Sequence, residues 1–213
     1  MNSSSSTNCP VCGEERTLKT FGQFTLLVCG ICGLYAKTET MFLNGAAELK
    51  RYSLHSVQPD TNYSDQMRDF VKTAVFPFIK NGKALDYGAG RTGVISRLLS
   101  GAGFEVRTYD PYFDNNLDVL DTTYDLITTI EVVEHFQDLK AEWDKLVGLL
   151  KPGGILAIGT QFAKADIRDW WYLRDTTHYH FYQERTFEVL SLKYRMEILY
   201  TDHVSRIVFK KGH

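Results

Sequence analysis

The chain lacks the features that would direct it to a membrane or to a polyanion. None of its apolar runs approaches the roughly 20 residues needed to cross a bilayer. Its 24 Lys and Arg residues against 26 Asp and Glu residues give a net charge of −2, which offers no electrostatic argument for binding nucleic acid. The serine-rich start, residues 1–8, lacks the apolar stretch of a signal peptide and predicts a disordered tail. These absences predict a cytoplasmic protein with no membrane partner and disfavour nucleic acid as a partner.

Cysteine is scarce, but its four copies form two Cys-x-x-Cys pairs sixteen residues apart. This spacing is typical of a zinc site in which two turns each supply two thiolates. Disulfides are one alternative, although thiols stay reduced in the cytosol, and an iron–sulfur cluster is another. Four sulfur ligands would leave no position for a substrate, so the zinc would be structural. The pattern predicts a zinc ribbon over residues 9–40, with a hairpin at 16–28 and the ligands Cys9, Cys12, Cys29 and Cys32.

The most informative stretch runs from Leu85 to Gly93, where an apolar segment enters a glycine-rich turn. Gly88 and Gly90 would let the backbone turn sharply and approach a ligand closely. Asp86, two residues before the first glycine, can accept hydrogen bonds from a ligand's ammonium group. A dinucleotide site would instead present bare amides to a pyrophosphate. The acid therefore favours a ligand with a cationic end.

Further apolar segments predict a sheet around this turn. Residues 83–87, 104–110 and 124–131 are each interpreted as a strand, and the last two of these end in an acid. Residues 149–159 are interpreted as a helix end, a tight turn and another buried strand. Helical apolar patterns lie between them, which indicates an α/β fold with a Rossmann-like, doubly wound sheet. Ligands bind such sheets at the carboxyl ends of the strands. Two extended runs, 194–200 and 205–210, predict a C-terminal antiparallel hairpin at the sheet edge.

Together these motifs resemble the class I S-adenosylmethionine-dependent methyltransferases. Residues 86–90 match the first motif of that family, Asp110 matches its ribose-binding acid, and 124–131 match its fourth strand. The resemblance implies an S-adenosylmethionine-dependent methyltransferase domain over residues 62–213, preceded by a linker or lid at 41–61. A zinc ribbon of this layout is also similar to the N-terminal module of several bacterial methyltransferase families.

The sequence departs from the family pattern at two places around the cofactor. Thr92 occupies the position of the usual third glycine, and Gly93 comes one residue late. The short span from Asp110 to Tyr124 leaves little room for the usual adenine-contacting loop, so Asp118 is considered as a substitute. The cofactor contacts that the resemblance implies are Asp86, Gly88, Ala89, Gly90, Asp110, Pro111, Asp118 and Glu131.

Two segments could supply the catalytic groups. One is Glu131 to His135, directly after the fourth strand, where matching positions in the family often contact the methionine end of the cofactor or the substrate. The other, from Asp169 to Tyr182, resembles a D-x-T-H-x-x-F-Y element of bacterial methyltransferases. An imidazole can take a proton near neutral pH, so His178 is the predicted base, with Glu131 and His135 as further candidates. A catalytic metal bound by His135, His178 and an acid has no supporting spacing.

The predicted reaction is methyl transfer from S-adenosylmethionine to the oxygen, nitrogen or carbon atom of a small molecule. An RNA methyltransferase that uses the ribbon for recognition is an alternative, but Arg16 and Lys19 are the only cations between the first and last cysteine. A non-catalytic cofactor-binding protein and a dinucleotide-binding enzyme are further alternatives. Asp86 counts against a dinucleotide. The sequence does not indicate the oligomeric state.

Overall fold

The computed structural model of the protein describes residues 8–53 and 61–213. Most of the predicted tail, and the part of the predicted lid that contains His55, lie outside the described residues. Within the described part, no helix is long and apolar enough to span a membrane.

The described chain contains ten strands and five α-helices. The strands are β1 (Arg16–Phe21), β2 (Phe24–Cys29), β3 (Tyr35–Ala36), β4 (Lys83–Tyr87), β5 (Glu105–Tyr109), β6 (Tyr124–Ile130), β7 (Leu150–Gly159), β8 (His180–Phe181), β9 (Met196–Thr201) and β10 (Arg206–Lys211). The helices are α1 (Gly45–Tyr52), α2 (Thr61–Phe70, continued by a π-helical turn over Val71–Val75), α3 (Val94–Gly101), α4 (Leu139–Leu149) and α5 (Glu184–Lys193).

Six of the strands form the central sheet, in the order β5-β4-β6-β7-β10-β9. The first four are parallel, and β10 runs antiparallel to its neighbours β7 and β9. Leu85, Ile127 and Leu156 are fully buried in the middle of this sheet, which explains why these strands are nearly continuous apolar runs. The sheet confirms the predicted α/β, Rossmann-like class and the terminal antiparallel hairpin.

The segment between β5 and β6 contains no further strand. It forms a short 3-10 turn over Leu117–Asp121 instead, in agreement with the short span noted in the sequence. The carboxyl ends of β4 and β5 stay adjacent, because Tyr87 and Tyr109 are paired in register. The acids that follow or end these strands are therefore held at one edge of the sheet.

A second, four-stranded sheet has the order β1-β2-β3-β8. The hairpin predicted between the cysteine pairs is present, because Arg16 pairs with Cys29 and Phe21 with Phe24. The fourth strand comes from far along the chain: Tyr35 pairs with Phe181, and Ala36 with His180. The sheet of the predicted ribbon is thus completed by the segment that carries the predicted base.

The ribbon and the larger sheet also share one hydrophobic core. Cys9, Cys32 and Leu34 lie in the same buried cluster as Trp143 and Phe187. The domain boundary at residue 40 stays a prediction, and the hydrophobic packing is continuous across it. Helices α1 and α5 and strands β3 and β8 were not predicted from the sequence.

Candidate active site and metal centre

The glycine turn after β4 has the conformation that its sequence predicts. Gly88 has a φ of 79° and Gly90 a φ of 59°, in the left-handed region that favours glycine. A Cβ on Gly88 would come within 2.3 Å of the Val132 side chain, so this position also lacks space. A Cβ on Gly90 would meet nothing within 4 Å, which leaves open space beside the turn. The turn thus packs tightly against the chain after β6 on one side and offers room for a ligand on the other.

Asp86 is almost completely buried at the end of β4. Thr128, its register partner on β6, donates a hydrogen bond of 3.2 Å to Asp86 Oδ1. Burial raises the pKa of Asp86 to about 7, and the hydrogen bond from Thr128 opposes that shift. A buried carboxyl group that lacks a cationic partner is costly to ionise. Asp86 therefore suits a ligand that brings its own positive charge.

Asp110 is held by backbone amides rather than by a cation. Its Oδ2 accepts a hydrogen bond of 3.0 Å from the Gly90 amide. Its Oδ1 accepts from the amides of Tyr112 at 2.9 Å and Phe113 at 3.0 Å. The carboxylate thereby fixes the glycine turn and keeps lone pairs for further donors, such as the hydroxyls of a ribose.

The other predicted cofactor contacts differ in their exposure. Ala89 is half-buried, and its amide donates to the Tyr109 carbonyl at 3.1 Å. Pro111 and Asp118 are exposed. Tyr63 on α2, which was not predicted, hydrogen bonds with the Thr92 side chain and lies within electrostatic range of Asp86 and Glu131. Aromatic residues are common in helices, so the sequence contained no signal for this position.

The turn after β6 brings the predicted acids close to the glycine turn. Glu131 has a φ of 54°, and its amide donates to the Gly159 carbonyl at the end of β7. The next residue, Val132, is the side chain that fills the space above Gly88. Val133–His135 then form a single 3-10 turn. The catalytic candidates Glu131 and His135 therefore lie directly beside the candidate cofactor turn.

Two acids share one tyrosine in this region. Tyr172 donates its hydroxyl hydrogen towards the carboxylates of both Glu131, at 3.1 Å, and Glu134. Glu134 is fully buried, and burial raises its pKa to about 7. Burial, followed by the charge of Glu134, raises the pKa of Glu131 to about 8. Like charges so close together oppose double ionisation.

His135 and His178 form a pair beside these acids, with ring centroids 4.8 Å apart. The Nδ1 atom of His135 lies 2.7 Å from the Thr177 carbonyl, and that of His178 lies 3.0 Å from the Tyr172 carbonyl. A carbonyl only accepts, so both Nδ1 atoms carry hydrogen and a neutral ring has its lone pair on Nε2. Burial lowers the pKa of both rings, that of His178 to about 3. The structure thus brings two predicted histidines together in neutral form.

Main-chain contacts explain why the histidine segment lies here. The Tyr179 amide donates to the Glu134 carbonyl at 2.8 Å, and the Tyr182 hydroxyl donates to the Val133 carbonyl at 2.8 Å. Asp175 accepts at 2.7 Å from the hydroxyl of Thr177 and at 2.5 Å from the guanidinium of Arg51 on α1. These hydrogen bonds hold the D-x-T-H-x-x-F-Y element against the turn after β6 and against α1.

Two residues of this cluster were not among the predicted catalytic groups. Glu134 lay within a predicted segment, and its spacing three residues after Glu131 was the available signal. Tyr172 was one of several aromatic residues in its segment, and the sequence did not distinguish it from Trp171, which is 62% exposed while Tyr172 is fully buried.

The four cysteines converge in a single small cluster, as predicted. The sulfur atoms of Cys9 and Cys32 lie 3.5 Å apart, and those of Cys12 and Cys29 lie 3.4 Å apart. All four are free thiols, and their sulfur atoms lie within 4.8 Å of one another. A tetrahedral zinc ion with bonds of about 2.3 Å separates its sulfur ligands by roughly 3.8 Å. The cluster therefore has dimensions that fit such an ion.

The comparisons with known proteins agree with this geometry. A family model described as a methyltransferase domain matches residues 60–198. No curated protein matches the sequence.

Solved structures with a similar fold share little sequence with the chain. The 1,6-didemethyltoxoflavin-N1-methyltransferase of Burkholderia thailandensis is 14% identical with a TM-score of 0.56, over 92% of this chain and 99% of that one. The PH0226 protein of Pyrococcus horikoshii is 16% identical with a TM-score of 0.53, over 76% and 99%. TehB of Haemophilus influenzae is 17% identical with a TM-score of 0.52, over 72% and 64%. With most of its length matched by the family model, the chain belongs to the methyltransferase domain family, which confirms the predicted enzyme class.

Proposed function

We propose that the chain transfers a methyl group from S-adenosylmethionine to a small-molecule acceptor. We call Glu131, Glu134, His135 and His178 the Glu–His cluster. One observation carries this proposal: the candidate cofactor turn contacts the segment that holds three of these residues, through Val132 against Gly88. Methyl transfer needs the donor's sulfonium and the acceptor atom aligned at one place. A binding protein without turnover would have no need of a buried acid and histidine cluster beside its ligand.

The donor would be held by charge at one end and by hydrogen bonds in the middle. The buried carboxyl group of Asp86 would pair with the ammonium of the methionine part, which removes the cost of its ionisation. Asp110, already oriented by three backbone amides, would accept from the ribose hydroxyls. Gly88, Ala89 and Gly90 would line the turn, and Pro111 and Asp118, both exposed, would lie nearer the adenine.

Activation of the acceptor would come from the Glu–His cluster. The candidate proton acceptors are the Nε2 lone pairs of His178 and His135 and the carboxylate of Glu131. Helix α1 closes over this cluster: the ring of Tyr52 lies 5.4 Å from that of His135, edge to face. Glu48 on the same helix is buried and accepts hydrogen bonds from Tyr112 and, at 2.5 Å, from Tyr179. Such cover excludes water and favours a small acceptor over a polymer.

A small acceptor is also consistent with one of the similar folds. The Burkholderia thailandensis enzyme has 1,6-didemethyltoxoflavin and S-adenosylhomocysteine bound in its structure. We infer no acceptor atom from that protein, since a fold alone does not determine chemistry.

We further propose that the cysteine cluster binds one structural zinc ion. Disulfides are disfavoured because the described thiols are free, and the four sulfur ligands suit either zinc or an iron–sulfur cluster. The small cluster with paired sulfurs under 4 Å apart favours a single ion.

Calorimetry with S-adenosylhomocysteine tests the proposed donor site. Asp110→Ala is expected to weaken binding by about 1–3 kcal/mol, because it removes charged hydrogen bonds to the ribose and the anchor of the glycine turn. Asp65→Ala, an exposed acid on α2, is the matched control and should bind normally. Binding of NAD by the wild-type protein, without any response to S-adenosylhomocysteine, would contradict the proposal.

Turnover is tested by incubating metabolite pools with the enzyme and labelled S-adenosylmethionine. Incorporation into a low-molecular-weight fraction, lost in Asp110→Ala at limiting donor concentration, is the expected result. Incorporation only into the RNA fraction would support the RNA methyltransferase alternative.

A further inference from the structure

Glu134, His135 and His178 bring three possible metal ligands to one place. One carboxylate oxygen and one nitrogen from each ring all lie within 4.8 Å of one another. The shortest ion-pair distance, from His135 Nε2 to Glu134 Oε1, is 4.0 Å. A metal ion bound at about 2.1 Å would hold such ligands roughly 3–4 Å apart. Small side-chain rotations would therefore close the three groups around one ion.

The two histidines are already arranged as metal ligands. Histidines that bind metals usually donate their other ring N–H to a carbonyl or carboxylate, which fixes the ring and leaves one lone pair for the ion. His135 and His178 both make this contact, to the Thr177 and Tyr172 carbonyls. The same two carbonyls belong to the segment that is fastened across the turn after β6. The main chain thus directs both Nε2 atoms into one space.

The carboxylate supplies the independent observation that a ligand belongs there. Glu134 is fully buried, and its Oε2 atom has no hydrogen-bond partner among the described residues. A buried oxygen without a partner costs about 1–3 kcal/mol, and more when it is charged. A cation between Glu134 and the histidines would offset the negative charge of this buried carboxylate.

We propose that Glu134, His135 and His178 bind a divalent first-row transition metal ion, which in turn holds the methyl acceptor through an oxygen atom. Two imidazoles and one carboxylate suit Mn²⁺, Fe²⁺, Co²⁺ or Zn²⁺ better than Mg²⁺ or Ca²⁺, which prefer oxygen ligands. Three protein ligands leave coordination positions open for a substrate, unlike the four sulfurs of the cysteine cluster.

The part that concerns the acceptor rests on the proposed methyl transfer. A metal-bound hydroxyl ionises more readily than a free one. Its proton passes to the carboxylate of Glu131, an oxygen lone pair forms the new bond to the methyl carbon, and the methyl–sulfur bond breaks with its electron pair retained by sulfur. His178 then acts as a ligand through Nε2 and does not take the proton itself. The acceptor class is accordingly a hydroxyl compound, and the reaction is O-methylation.

Electron paramagnetic resonance with Mn²⁺ tests the metal site directly. Protein that retains its cysteine-bound metal is titrated with MnCl₂, and the loss of the free Mn²⁺ signal gives the number of sites and their affinity. One site per chain is expected in the wild type. Glu134→Gln keeps the side-chain volume and an oxygen for Tyr172, so it should fold, yet it should weaken Mn²⁺ binding by at least roughly tenfold to a hundredfold. His178→Gln should do the same.

His203→Asn is the matched control. His203 is an exposed histidine on the loop between β9 and β10, and its replacement should leave the Mn²⁺ titration unchanged. The absence of a Mn²⁺ site in the wild type, or equal affinity in Glu134→Gln, His178→Gln and the wild type, would overturn the metal site.

Water labelled with ¹⁷O tests whether the bound Mn²⁺ ion has coordination positions open to an acceptor. Broadening of the bound Mn²⁺ lines is expected, because water occupies positions that an acceptor oxygen would take. Unbroadened lines would overturn the part of the proposal that concerns the acceptor. Calorimetry with S-adenosylhomocysteine on the same samples keeps the proposed function separate. A Mn²⁺ site without cofactor binding contradicts the methyltransferase proposal alone, and cofactor binding without a Mn²⁺ site contradicts the metal proposal alone.

Discussion

Asp110 and Asp86, the two acids at the edge of the sheet, differ in the hydrogen bonds that their carboxylates accept. Asp110 accepts hydrogen bonds from three backbone amides, so its charge is compensated before any ligand arrives. Asp86 accepts from the Thr128 hydroxyl and the Ser96 amide and lies almost entirely out of solvent. The first acid can orient a neutral hydroxyl, whereas the second gains most from a cation. This difference supports the assignment of the ribose to Asp110 and of the ammonium to Asp86.

Cofactor affinity should therefore depend on pH through Asp86. Burial raises its pKa to about 7, so one pH unit below that value only about a tenth of the carboxyl groups are ionised. Binding of S-adenosylhomocysteine should strengthen by about tenfold from pH 6 to pH 8 and then level off. Asp86→Asn should bind weakly and with a flat profile over the same range. Isothermal titration calorimetry at several pH values measures both.

The unfolding free energy should change with pH in the opposite direction to the cofactor affinity, which provides a control. A carboxyl group whose pKa is raised in the folded state stabilises the fold below its unfolded pKa and loses that contribution as the pH rises through 7. The ligand-free protein should thus lose unfolding free energy from pH 5 to pH 8, and Asp86→Asn should reduce that loss. A cofactor affinity that falls with rising pH in the wild type alone would contradict the proposed role of Asp86.

At the residue scale, the sequence predicted the groups whose positions follow from strand ends. Asp86 and Asp110 lie at or directly after the ends of β4 and β5, and parallel strands bring such ends together. Glu134 and Tyr172 could not be selected in this way. Their importance arises from a contact between segments 38 residues apart, and neither segment has a periodic pattern that fixes its placement.

At the scale of elements, the longer periodic segments were predictable and the short ones were not. The strand predicted at residues 83–87 has those bounds, and the apolar residues between 139 and 150 mark α4. Strands β3 and β8 contain two residues each, too few for an alternating pattern. They exist because β3 pairs with β2 and β8 pairs with β3, a tertiary effect that no local pattern predicts.

This pairing changes the expected effect of losing the proposed zinc ion. The sequence alone predicts that Cys→Ser releases the metal and unfolds the ribbon, while the methyltransferase domain stays folded. In the structure the ribbon and the methyltransferase domain are in direct contact, because β8 belongs to the ribbon sheet and Thr186 on α5 donates to the Cys32 carbonyl at 2.9 Å. Unfolding of the ribbon should therefore also free the segment that holds His178.

Cys29→Ser is the variant that tests this coupling. It should lose about one zinc per chain by elemental analysis, because a site this small is held together by its ion. Amide hydrogen exchange should increase at residues 179–182 as well as in β1 and β2, while β4 and β6 remain protected. Cofactor binding should persist and turnover should fall.

An exposed serine control, Ser100→Ala on α3, should change none of these measurements. Stoichiometric disulfides and no metal in freshly reduced wild-type protein would contradict the zinc site. Unchanged exchange at 179–182 in Cys29→Ser would contradict the coupling alone.

At the scale of the whole molecule, the ribbon is a structural part of one core. Its buried cysteines lie in the same apolar cluster as Trp143 on α4 and Phe187 on α5. Lys193 on α5 also donates to the carbonyls of Pro10 and Val11, at 3.0 and 2.9 Å. A ribbon that recognised a polymer would need a free, positively charged face. Here the cysteine-bearing end of the predicted ribbon packs against α4 and α5 of the enzyme.

The net charge of the whole molecule predicts weak binding to nucleic acid. With a net charge of −2 and only Arg16 and Lys19 as cations between the outer cysteines, the protein offers few phosphate contacts. Binding to structured RNA releases few counterions in that case, so the affinity should be weak and should change little with salt. Fluorescence anisotropy with a labelled RNA hairpin at about 50 and 200 mM salt measures both quantities. A fall in affinity of roughly a thousandfold across this range is typical of proteins with six or more phosphate contacts. That result, with tight binding at the lower salt, would contradict the small-molecule proposal and favour the RNA methyltransferase, because the charge argument would then be wrong.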